Sequence, residues 1–463
     1  VLEAPDIKLM ATPEFYSEIG LQYRLECKSG NDGIIGYIEW DFGDGSKGNG
    51  MMVSHTYKTG SYIATATVYN YDKTVSWRKE IAINSKFPEF VATASSLEGY
   101  SALKVNFDCN LVDSNFTDSG LKYQWTADSE VLSEKNSFEK VFVYPGIHII
   151  NLKITDPAST IVKEQSFVIN VNSIDFVFTD EGRKIESNTS IFINKDYDAD
   201  RDGINQGWED KAMISVNPYF EFDEEEDLLD NLDTDKVKNF VRITPYPSVD
   251  DPKYILFYSC VAFTRDYGRF ANIEPLFEAH NGDVESVIMA WKVIDDKNLE
   301  LKWVYTSSHG SAETSHSAVW DAVGESSNKG KVKFGFDETM HAALEFVDNR
   351  LKLQISEDKH AIYPTEKCGD DVTLVFNLIG EDCGGGGVYM LQCYNAGEPD
   401  AYLMDDIGKI FSNERIWSGN IKNVGKFFGG RSESDNSPNS IGRNLTGLPE
   451  ALQKKIDEAL KIE

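Results

Sequence analysis

Residues 198–209 carry the polar pattern with the clearest chemical purpose, Asp-Ala-Asp-Arg-Asp-Gly-Ile-Asn-Gln-Gly-Trp-Glu. This order fits D-x-D-x-D-G-x5-E, a spacing that brings carboxylates at the first, third, fifth and twelfth positions around one ion. Gly203 allows the sharp turn that such a loop needs at its sixth position. A solvated acidic loop is the alternative interpretation. The sequence predicts a calcium site built from Asp198, Asp200, Asp202, the carbonyl of Ile204, Gln206 and Glu209.

A second set of polar residues surrounds the start of a predicted strand further along the chain. Asp283 and Glu285 are two residues apart, so their side chains share one face of a strand, and His280 precedes them in a predicted turn. Two carboxylates and an imidazole suit a divalent metal, and they also suit an acid–base pair. A structural hydrogen-bond network is the third interpretation. The residues alone leave these three alternatives open.

The charge of the chain limits its partners. Its 463 residues include 76 acidic and 45 basic residues, which give a net charge of −31. Such a chain repels the phosphates of nucleic acid and the headgroups of anionic membranes, so we expect neither as a partner. No run of 18 apolar residues occurs, and we therefore do not expect an integral membrane protein.

The elements that position these residues are predicted to be β-strands, beginning with an internal repeat in residues 1–173. Apolar and polar residues alternate through 62–69 and again through 148–154. Each copy has about the length of a seven-stranded sandwich, and we predict β-sandwich domains over 1–85 and 86–173. The two copies share a cysteine, a tryptophan and a tyrosine in the same order: Cys27, Trp40 and Tyr57, then Cys109, Trp125 and Tyr144.

The first copy resembles a polycystic kidney disease (PKD) domain. The resemblance rests on Trp40-Asp41-Phe42-Gly43-Asp44-Gly45, followed by His55-Thr56-Tyr57. The second copy resembles the same family through its tryptophan and its Tyr144-Pro145-Gly146 corner, although it lacks the Gly-Asp-Gly turn. The likeness implies extracellular spacer or adhesion modules at a cell surface, without catalysis of their own.

The calcium loop resembles those of thrombospondin type 3 repeats and dockerins, because a predicted strand at 191–193 stands where an EF-hand has a helix. A single loop of this kind between domains is expected to stiffen a linker. We therefore predict that residues 174–213 form a linker with an EF-hand-like calcium loop, and that a short helix follows at 209–214.

The segment 214–430 is predicted to be a larger β-rich domain. A more distant similarity links its string at 280–285 to necrosis- and ethylene-inducing peptide-like proteins, which hold a divalent cation in a β-sandwich cavity and bind membrane sphingolipids. That likeness implies a second divalent metal at His280, Asp283 and Glu285, with His309 and His360 as completing ligands. Six strings are similar to the fungal vacuolar protein sorting-associated protein 62 family and follow its order: 280–285, 308–310, 359–364, 382–386, 395–399 and 416–419.

Four cysteines of the second half are candidates for disulfides in an extracellular protein. Cys368 and Cys383 flank a predicted strand at 372–378, which leaves Cys260 to pair with Cys393, but spacing does not decide between the three pairings. Residues 431–463 are predicted to be a linker and an amphipathic helix, which docks on its own body or on a neighbour in a homo-oligomer. The apolar stripe of this helix is Leu452, Ile456, Ala459 and Leu460.

These features predict an all-β chain with two Ig-like β-sandwich domains in tandem, a larger β-rich sandwich domain and a short C-terminal helix. The favoured function is an extracellular calcium-binding surface protein, a PKD stalk whose head binds a glycan, a protein or another surface ligand. One alternative is a structural subunit of an extracellular assembly, and the other is a secreted metal-dependent hydrolase. No HExxH or GxSxG motif occurs, so the sequence favours a function without catalysis.

Overall fold

The computed structural model forms two compact units, Val1–Ser173 and Ile174–Glu463. The described chain consists mainly of β-strands in several sheets, so the all-β prediction is confirmed. No helix among the described residues is both long and apolar enough to cross a membrane. The structure describes residues 5–461 except 18–19, 31–34, 87–88, 113–120, 156–160, 194–196, 224–235, 267–279, 308–317, 323–329, 334–338, 343, 357–359, 364–384, 392, 396–440, 442–444 and 446.

The first β-sandwich has two antiparallel sheets around one core. Its strands are β1 Ile7–Ser17, β2 Gly20–Ser29, β3 Tyr37–Asp41, β4 Lys47–Asn49, β5 Met52–Tyr57, β6 Gly60–Tyr69 and β7 Ser76–Ser85. They pair in the orders β1-β2-β5 and β4-β3-β6-β7. Because side chains alternate between the faces of a strand, both sheets contribute to one core that includes Leu25, Trp40 and Tyr57. The indole Nε1 of Trp40 donates a hydrogen bond to the carbonyl of Gly50 at 3.0 Å.

The second β-sandwich repeats this plan. Its strands are β8 Phe90–Ala94, β9 Glu98–Tyr100, β10 Leu103–Leu111, β11 Lys122–Ala127, β12 Glu130–Ser133, β13 Ser137–Phe142, β14 Gly146–Thr155 and β15 Ile161–Asn172. They pair in the orders β13-β10-β8 and β12-β11-β14-β15-β9. Trp125 is fully buried, and its Nε1 donates a hydrogen bond to the carbonyl of Lys135 at 2.9 Å. Both copies thus bury their tryptophan and satisfy its indole through a backbone carbonyl ten residues further on.

The second unit is organised around one large sheet. Its first strands are β16 Phe176–Thr179, β17 Lys184–Ser187, β18 Tyr219–Asp223, β19 Val237–Tyr246, β20 Tyr254–Asp266, β21 His280–Val293, β22 Asn298–Thr306 and β23 Ala318–Asp321. The later strands are β24 Gly330–Lys333, β25 Thr339–Ala342, β26 Glu345–Val347, β27 Arg350–Ile355, β28 Ile362–Tyr363, β29 Gly385–Tyr389 and β30 Cys393–Asn395. The helices are α1 Gln206–Val216 and α2 Glu450–Leu460, with a 3-10 turn at Asp180–Gly182.

The large sheet has the order β16-β17-β22-β21-β20-β19-β30, and β23 also pairs with β22. A second sheet has the order β26-β27-β18-β29, with β28 pairing with β27, and β24 pairs with β25. One face of the large sheet carries an apolar cluster that includes Tyr258, Cys260 and Ile288, and this cluster also contains Leu452 and Ile456 of α2. The C-terminal helix therefore packs on its own unit, the first of the two alternatives that the sequence left open.

Residues 174–213, which the sequence predicts to be a linker, belong instead to the second unit. β16 and β17 form a hairpin, and β17 pairs with β22, where Ile185 lies opposite Leu299. Ile191 and Ile204 are fully buried. The linker prediction rested on the resemblance of the loop 198–209 to calcium loops that stand between domains. The strand that accepts the hairpin, β22, lies far along the chain. The helix after the loop is also longer than predicted, since α1 spans Gln206–Val216.

The predicted disulfide between Cys260 and Cys393 is also corrected, because Cys260 is a free, fully buried thiol. Cys260 lies opposite Phe240 of β19, whereas Cys393 lies beside Asn239 on the other side of that strand. Strands that are two apart in a sheet are separated by about 9–10 Å, which exceeds the Cα separation of about 7 Å that a disulfide tolerates. Cys368 and Cys383 lie outside the described residues.

Candidate functional site

Backbone hydrogen bonds hold together the segments on either side of the acidic loop 198–209. The amide of Ile193 donates to the carbonyl of Gly203 at 3.2 Å, and the amide of Asn205 donates to the carbonyl of Ile191 at 2.8 Å. The chain therefore returns, at Gly203 and Asn205, to the segment from which it left.

The loop requires glycine at its sixth position for two reasons. Gly203 has a φ of 89°, in the left-handed region that favours glycine. A Cβ at this position would lie 2.4 Å from Cγ1 of Val249, so a side chain would also collide with a neighbouring turn. The sharp turn predicted from the sequence thus also lets the loop pack closely on the rest of the second unit.

Two aspartates shape the loop through its backbone. Asp198 accepts hydrogen bonds from the amide of Arg201 at 2.6 Å and from the amide of Gly203 at 3.0 Å. Asp202 Oδ1 accepts a hydrogen bond from the amide of Ile204 at 2.9 Å. These bonds orient the carboxylates toward the inside of the turn.

Gln206 connects the start of the loop to helix α1 through two hydrogen bonds. Its Oε1 accepts a hydrogen bond from the amide of Ala199 at 3.0 Å, and its Nε2 donates one to Asp210 Oδ1 at 3.2 Å. One lone pair of Gln206 Oε1 accepts the hydrogen bond from Ala199, so the predicted metal bond of Gln206 would use the second lone pair.

Carboxylate oxygens converge within the loop. One oxygen from each of Asp198, Asp200 and Asp202 lies within 4.8 Å of the other two. Asp202 Oδ2 and Glu209 Oε2 are buried and make no hydrogen bond to any described residue, and these residues are 3% and 4% exposed. Burying a carboxylate oxygen without a partner is costly, and a cation is the group that would satisfy several such oxygens together.

The raised pKa values of two carboxyl groups in the loop also favour a bound cation. Burial raises the pKa of Asp202 to about 7, and the charges of Asp200 and Asp198 contribute to this rise. Burial also raises the pKa of Glu209 well above its usual value, and the neighbouring aspartates add to the effect. The positive charge of Arg242 lowers the pKa of Asp202, but by less than these effects raise it. A divalent cation would lower both pKa values, because it stabilises the ionised carboxylates.

Helix α1 ties the loop to the body of the second unit. Asn205 caps the start of the helix, where its Oδ1 accepts a hydrogen bond from the amide of Trp208 at 3.1 Å. At the other end, Arg350 Nη1 donates hydrogen bonds to the carbonyls of Ile214 and Asn217 at 2.6 Å and 3.1 Å. Both ends of the helix are therefore fixed, the second one by a residue of β27.

A buried row of polar side chains continues from α1 into the large sheet. Asn217 Oδ1 accepts a hydrogen bond from Asn239 Nδ2 at 2.9 Å, and Asn239 Oδ1 accepts one from Ser259 Oγ at 2.8 Å. All three residues are fully buried. Because these buried groups satisfy one another, they fix the helix to β19 and β20. The position of the loop is thus set by tertiary contacts.

The second predicted cluster lies inside the second unit. His360 Nδ1 is 3.3 Å from Asp283 Oδ2, and its ring stacks on Phe263 with centroids 3.9 Å apart. Glu285 accepts a hydrogen bond from Ser307 Oγ. The fold therefore brings His360 to Asp283, whereas His309 and the side chain of His280 lie outside the described residues.

These contacts favour a structural role for the second cluster. Asp283, Glu285 and His360 are all buried, and each carboxylate has a hydrogen-bond partner from another element. Within the part of the chain that the structure describes, three metal-type ligands converge at the loop 198–209. The second metal and the acid–base pair stay predictions from the sequence.

The first sandwich contains a contact that the sequence interpretation missed. The sequence predicts a tight turn at Gly43-Asp44-Gly45, whereas the structure also pairs Asp44 Oδ2 with His55 Nε2 at 2.8 Å. Burial raises the pKa of Asp44, but hydrogen bonds from Ser46 and His55 outweigh it and lower this pKa to about 2. The presence of His55 and the Gly-Asp-Gly turn within one motif was the signal for this contact.

Comparisons with known proteins identify a domain in the first unit. The profile of the PKD domain family matches residues 2–84, so the first sandwich is a PKD domain. No curated protein matches the chain. The chain is similar to the fibronectin(III)-like modules of Clostridium thermocellum CbhA, with 13% identity, 36% of this chain and 95% of that chain covered, and a TM-score of 0.17. It is also similar to the PKD1 domain of the Vibrio cholerae metalloprotease PrtV, with 26% identity and a TM-score of 0.15. That match covers 18% of this chain and 100% of the PKD1 domain chain.

Proposed function

We propose that this chain is an extracellular calcium-binding surface protein, in which PKD-type sandwiches act as spacers and the second unit binds a surface ligand. The PKD domain at 2–84 supports this location, because PKD domains occur in extracellular proteins. The second sandwich is proposed to be a degenerate copy of the same module, since it buries its tryptophan in the same way. The second unit is proposed to be a relative of the vacuolar protein sorting-associated protein 62 family.

One observation carries the calcium proposal: the buried oxygens Asp202 Oδ2 and Glu209 Oε2 make no hydrogen bond to any described residue, beside the converging carboxylates of the loop. Calcium takes six to eight oxygen ligands, and every candidate ligand here is an oxygen. Asp198 and Asp200 complete the carboxylate set, and the carbonyl of Ile204 and Gln206 supply the neutral ligands. When bound, calcium contributes positive charge that offsets the repulsion among these groups.

The surroundings of the loop favour a structural role for calcium rather than signalling. Arg350 holds the end of α1, and the row of buried amides holds the helix to the large sheet. Calcium binding would therefore stabilise an arrangement that tertiary contacts already define. A ligand at one hundred times its dissociation constant stabilises the folded state by about 2.7 kcal/mol.

Calorimetric titration of the full chain with Ca²⁺, and separately with Mg²⁺, tests the proposal. We expect one calcium ion per chain at this loop and at least a tenfold loss of affinity in Asp200→Asn, because a carboxylate ligand is removed. Asp250→Asn is the matched control, since this exposed acid lies next to Val249, against which Gly203 packs. It removes the same charge nearby without removing a ligand.

The two variants distinguish a built site from general attraction of cations to an acidic protein. Unchanged calcium stoichiometry and affinity in Asp200→Asn would refute the site. Equal losses in Asp200→Asn and Asp250→Asn would show that net charge alone attracts the ion.

The net charge of −31 narrows the class of surface ligand. Because a protein with this net charge repels polyanions, we propose a neutral glycan or a protein surface as the ligand. Binding of the full chain to an array of neutral and sulfated glycans, with calcium or with a chelator, tests this choice. Binding to neutral glycans in calcium would support it, whereas binding to sulfated glycans alone would contradict it.

A further inference from the structure

A row of three side chains crosses the outer face of the first sandwich. Met10 of β1 lies directly opposite Glu26 of β2, and Met52 of β5 lies opposite Glu26 on its other side. Residues opposite each other in a ladder point to one face, so the two thioethers flank the carboxylate in what we call the methionine row. Glu26 stands between the core residues Leu25 and Cys27, which places the row on the outer face. Met10 and Met52 are 47% and 60% exposed, although methionine is among the residues most often buried.

The second sandwich shows that the module does not require these methionines. The amide of Cys27 donates a hydrogen bond to the carbonyl of Met51 at 2.8 Å. In the same way, the amide of Cys109 donates one to the carbonyl of Asn136 at 2.9 Å, which aligns the two sandwiches. The row of the second sandwich that matches the methionine row consists of Thr93, Asp108 and Ser137. Both copies thus keep an acid in the centre, whereas the flanking sulfurs are a feature of the first copy.

The spacing of the strands allows both sulfurs to bind one ion. β1 and β5 lie on either side of β2, so the Cα atoms of Met10 and Met52 are about 9–10 Å apart. Two sulfurs bonded to one ion at about 2.3 Å, the length of a zinc–sulfur bond, lie within about 4.6 Å of each other. Each thioether therefore has to lean about 2.5 Å across Glu26, which is within the reach of a side chain with three rotatable bonds.

The charges around the row favour a soft monovalent ion over a hard divalent one. Both oxygens of Glu26 are engaged, one with Arg24 Nε at 3.1 Å and the other with Lys28 Nζ at 2.9 Å. Lys8 lies opposite Lys28, so further positive charge borders the row. Calcium and magnesium require several oxygen ligands, which the row does not offer. A thioether is an uncharged, soft ligand, and ligands of this kind select Cu(I).

We propose that the methionine row binds one Cu(I) ion through the sulfurs of Met10 and Met52. Glu26, held in place by its two ion pairs, contributes negative charge beside the ion. The site is separate from the loop 198–209, whose candidate ligands are all oxygens, and it does not depend on the calcium proposal. It gives the first sandwich a binding role beyond that of a spacer.

NMR of the full chain, labelled at the methionine methyl carbons and titrated with Ag(I), tests the proposal. Ag(I) is the probe because it is soft and monovalent like Cu(I) and is stable in air. The signals of Met10 and Met52, assigned from single substitutions, should shift together and saturate at the same silver concentration. Met390 is the matched control, since it is 51% exposed in the second unit, and its signal should not move.

Competition for Cu(I) against a chromogenic chelator, without oxygen and with accessible thiols alkylated, gives an independent readout. Met10→Thr with Met52→Ser installs the residues of the second sandwich and should lower the affinity by about tenfold or more, because both soft ligands are removed. Met390→Thr should leave the affinity unchanged.

Two results would overturn the proposal. One is a double variant that is folded and binds Cu(I) as tightly as the wild type. The other is a silver titration in which the signals of Met10 and Met52 shift no more than that of Met390. The titration uses the wild-type chain, so it decides the question even if the double variant does not fold.

Discussion

Replacing Asp202 with asparagine separates the charge of the acidic loop 198–209 from its shape. Asparagine keeps the oxygen that accepts the hydrogen bond from the amide of Ile204, so the turn is retained. It removes a negative charge from a side chain that is almost completely buried. The substitution therefore tests whether this charge destabilises the protein without calcium and holds the ion when calcium is present.

The expected magnitude follows from the pKa of Asp202. Burial, with the charges of Asp200 and Asp198, raises this pKa from 3.8 to about 7 in the folded protein. Because the folded state binds the proton more tightly than the unfolded state, the free energy of unfolding falls as the pH rises between these values. At about 1.4 kcal/mol for each pH unit, the free energy of unfolding without calcium is lower by about 4 kcal/mol above about pH 7. Asp202→Asn should recover most of that loss.

Calcium should reduce the difference in stability between the two proteins. The wild-type chain gains about 2.7 kcal/mol at one hundred times the dissociation constant, whereas the variant lacks a ligand and should gain far less. Above neutral pH, Asp202→Asn is thus expected to be more stable than the wild type by about 4 kcal/mol in a chelator and by only about 1 kcal/mol at that calcium concentration.

Urea unfolding of the full chain at about pH 5 and about pH 8, with calcium or a chelator, measures both effects. Hydrogen exchange of residues 198–216 shows whether the change is centred on the loop and α1. Asp250→Asn again serves as the control for charge. If Asp202→Asn is no more stable than the wild type in chelator at the higher pH, or if calcium stabilises both equally, the electrostatic reasoning is wrong.

Three further predictions concern the sandwich turn, the buried amides and the C-terminal helix. Gly43 and Gly45 both have positive φ, but a Cβ on Gly43 would lie 2.4 Å from a backbone carbonyl oxygen, whereas one on Gly45 meets nothing within 4 Å. Thermal melts should therefore show that Gly45→Ala loses about 1–2 kcal/mol of stability and that Gly43→Ala loses more. Equal losses would contradict the steric argument. Asn239→Ala leaves the buried Asn217 and Ser259 without this partner and should lower the free energy of unfolding in urea by about 1–3 kcal/mol. An unchanged free energy of unfolding would mean that this buried row does not hold α1. Ile456→Ala should cost about 2–5 kcal/mol and speed hydrogen exchange of α2, unless the helix contributes little to the core.

Local sequence patterns determined the features that depend on neighbouring residues. Alternating apolar residues predicted the strands of both sandwiches, because the side chains of a strand alternate between core and solvent. The PKD domain was predictable from Trp40 and the motif that follows it, which form one short turn-and-strand unit. The candidate calcium ligands were predictable as a set because all of them lie within one loop of the chain, 198–209.

Tertiary structure decided which surfaces those elements cover. Pairing of β17 with β22 places residues 174–213 in the second unit, although the resemblance to calcium loops between domains predicted a linker there. The same sheet buries Cys260 as a free thiol, and the turn between β27 and β28 brings His360 to Asp283. Strand pairing joins residues that are far apart in the chain, and burial of a side chain depends on what lies across the sheet. For this reason composition revealed the acidic loop, but only the fold showed that its carboxylates are buried.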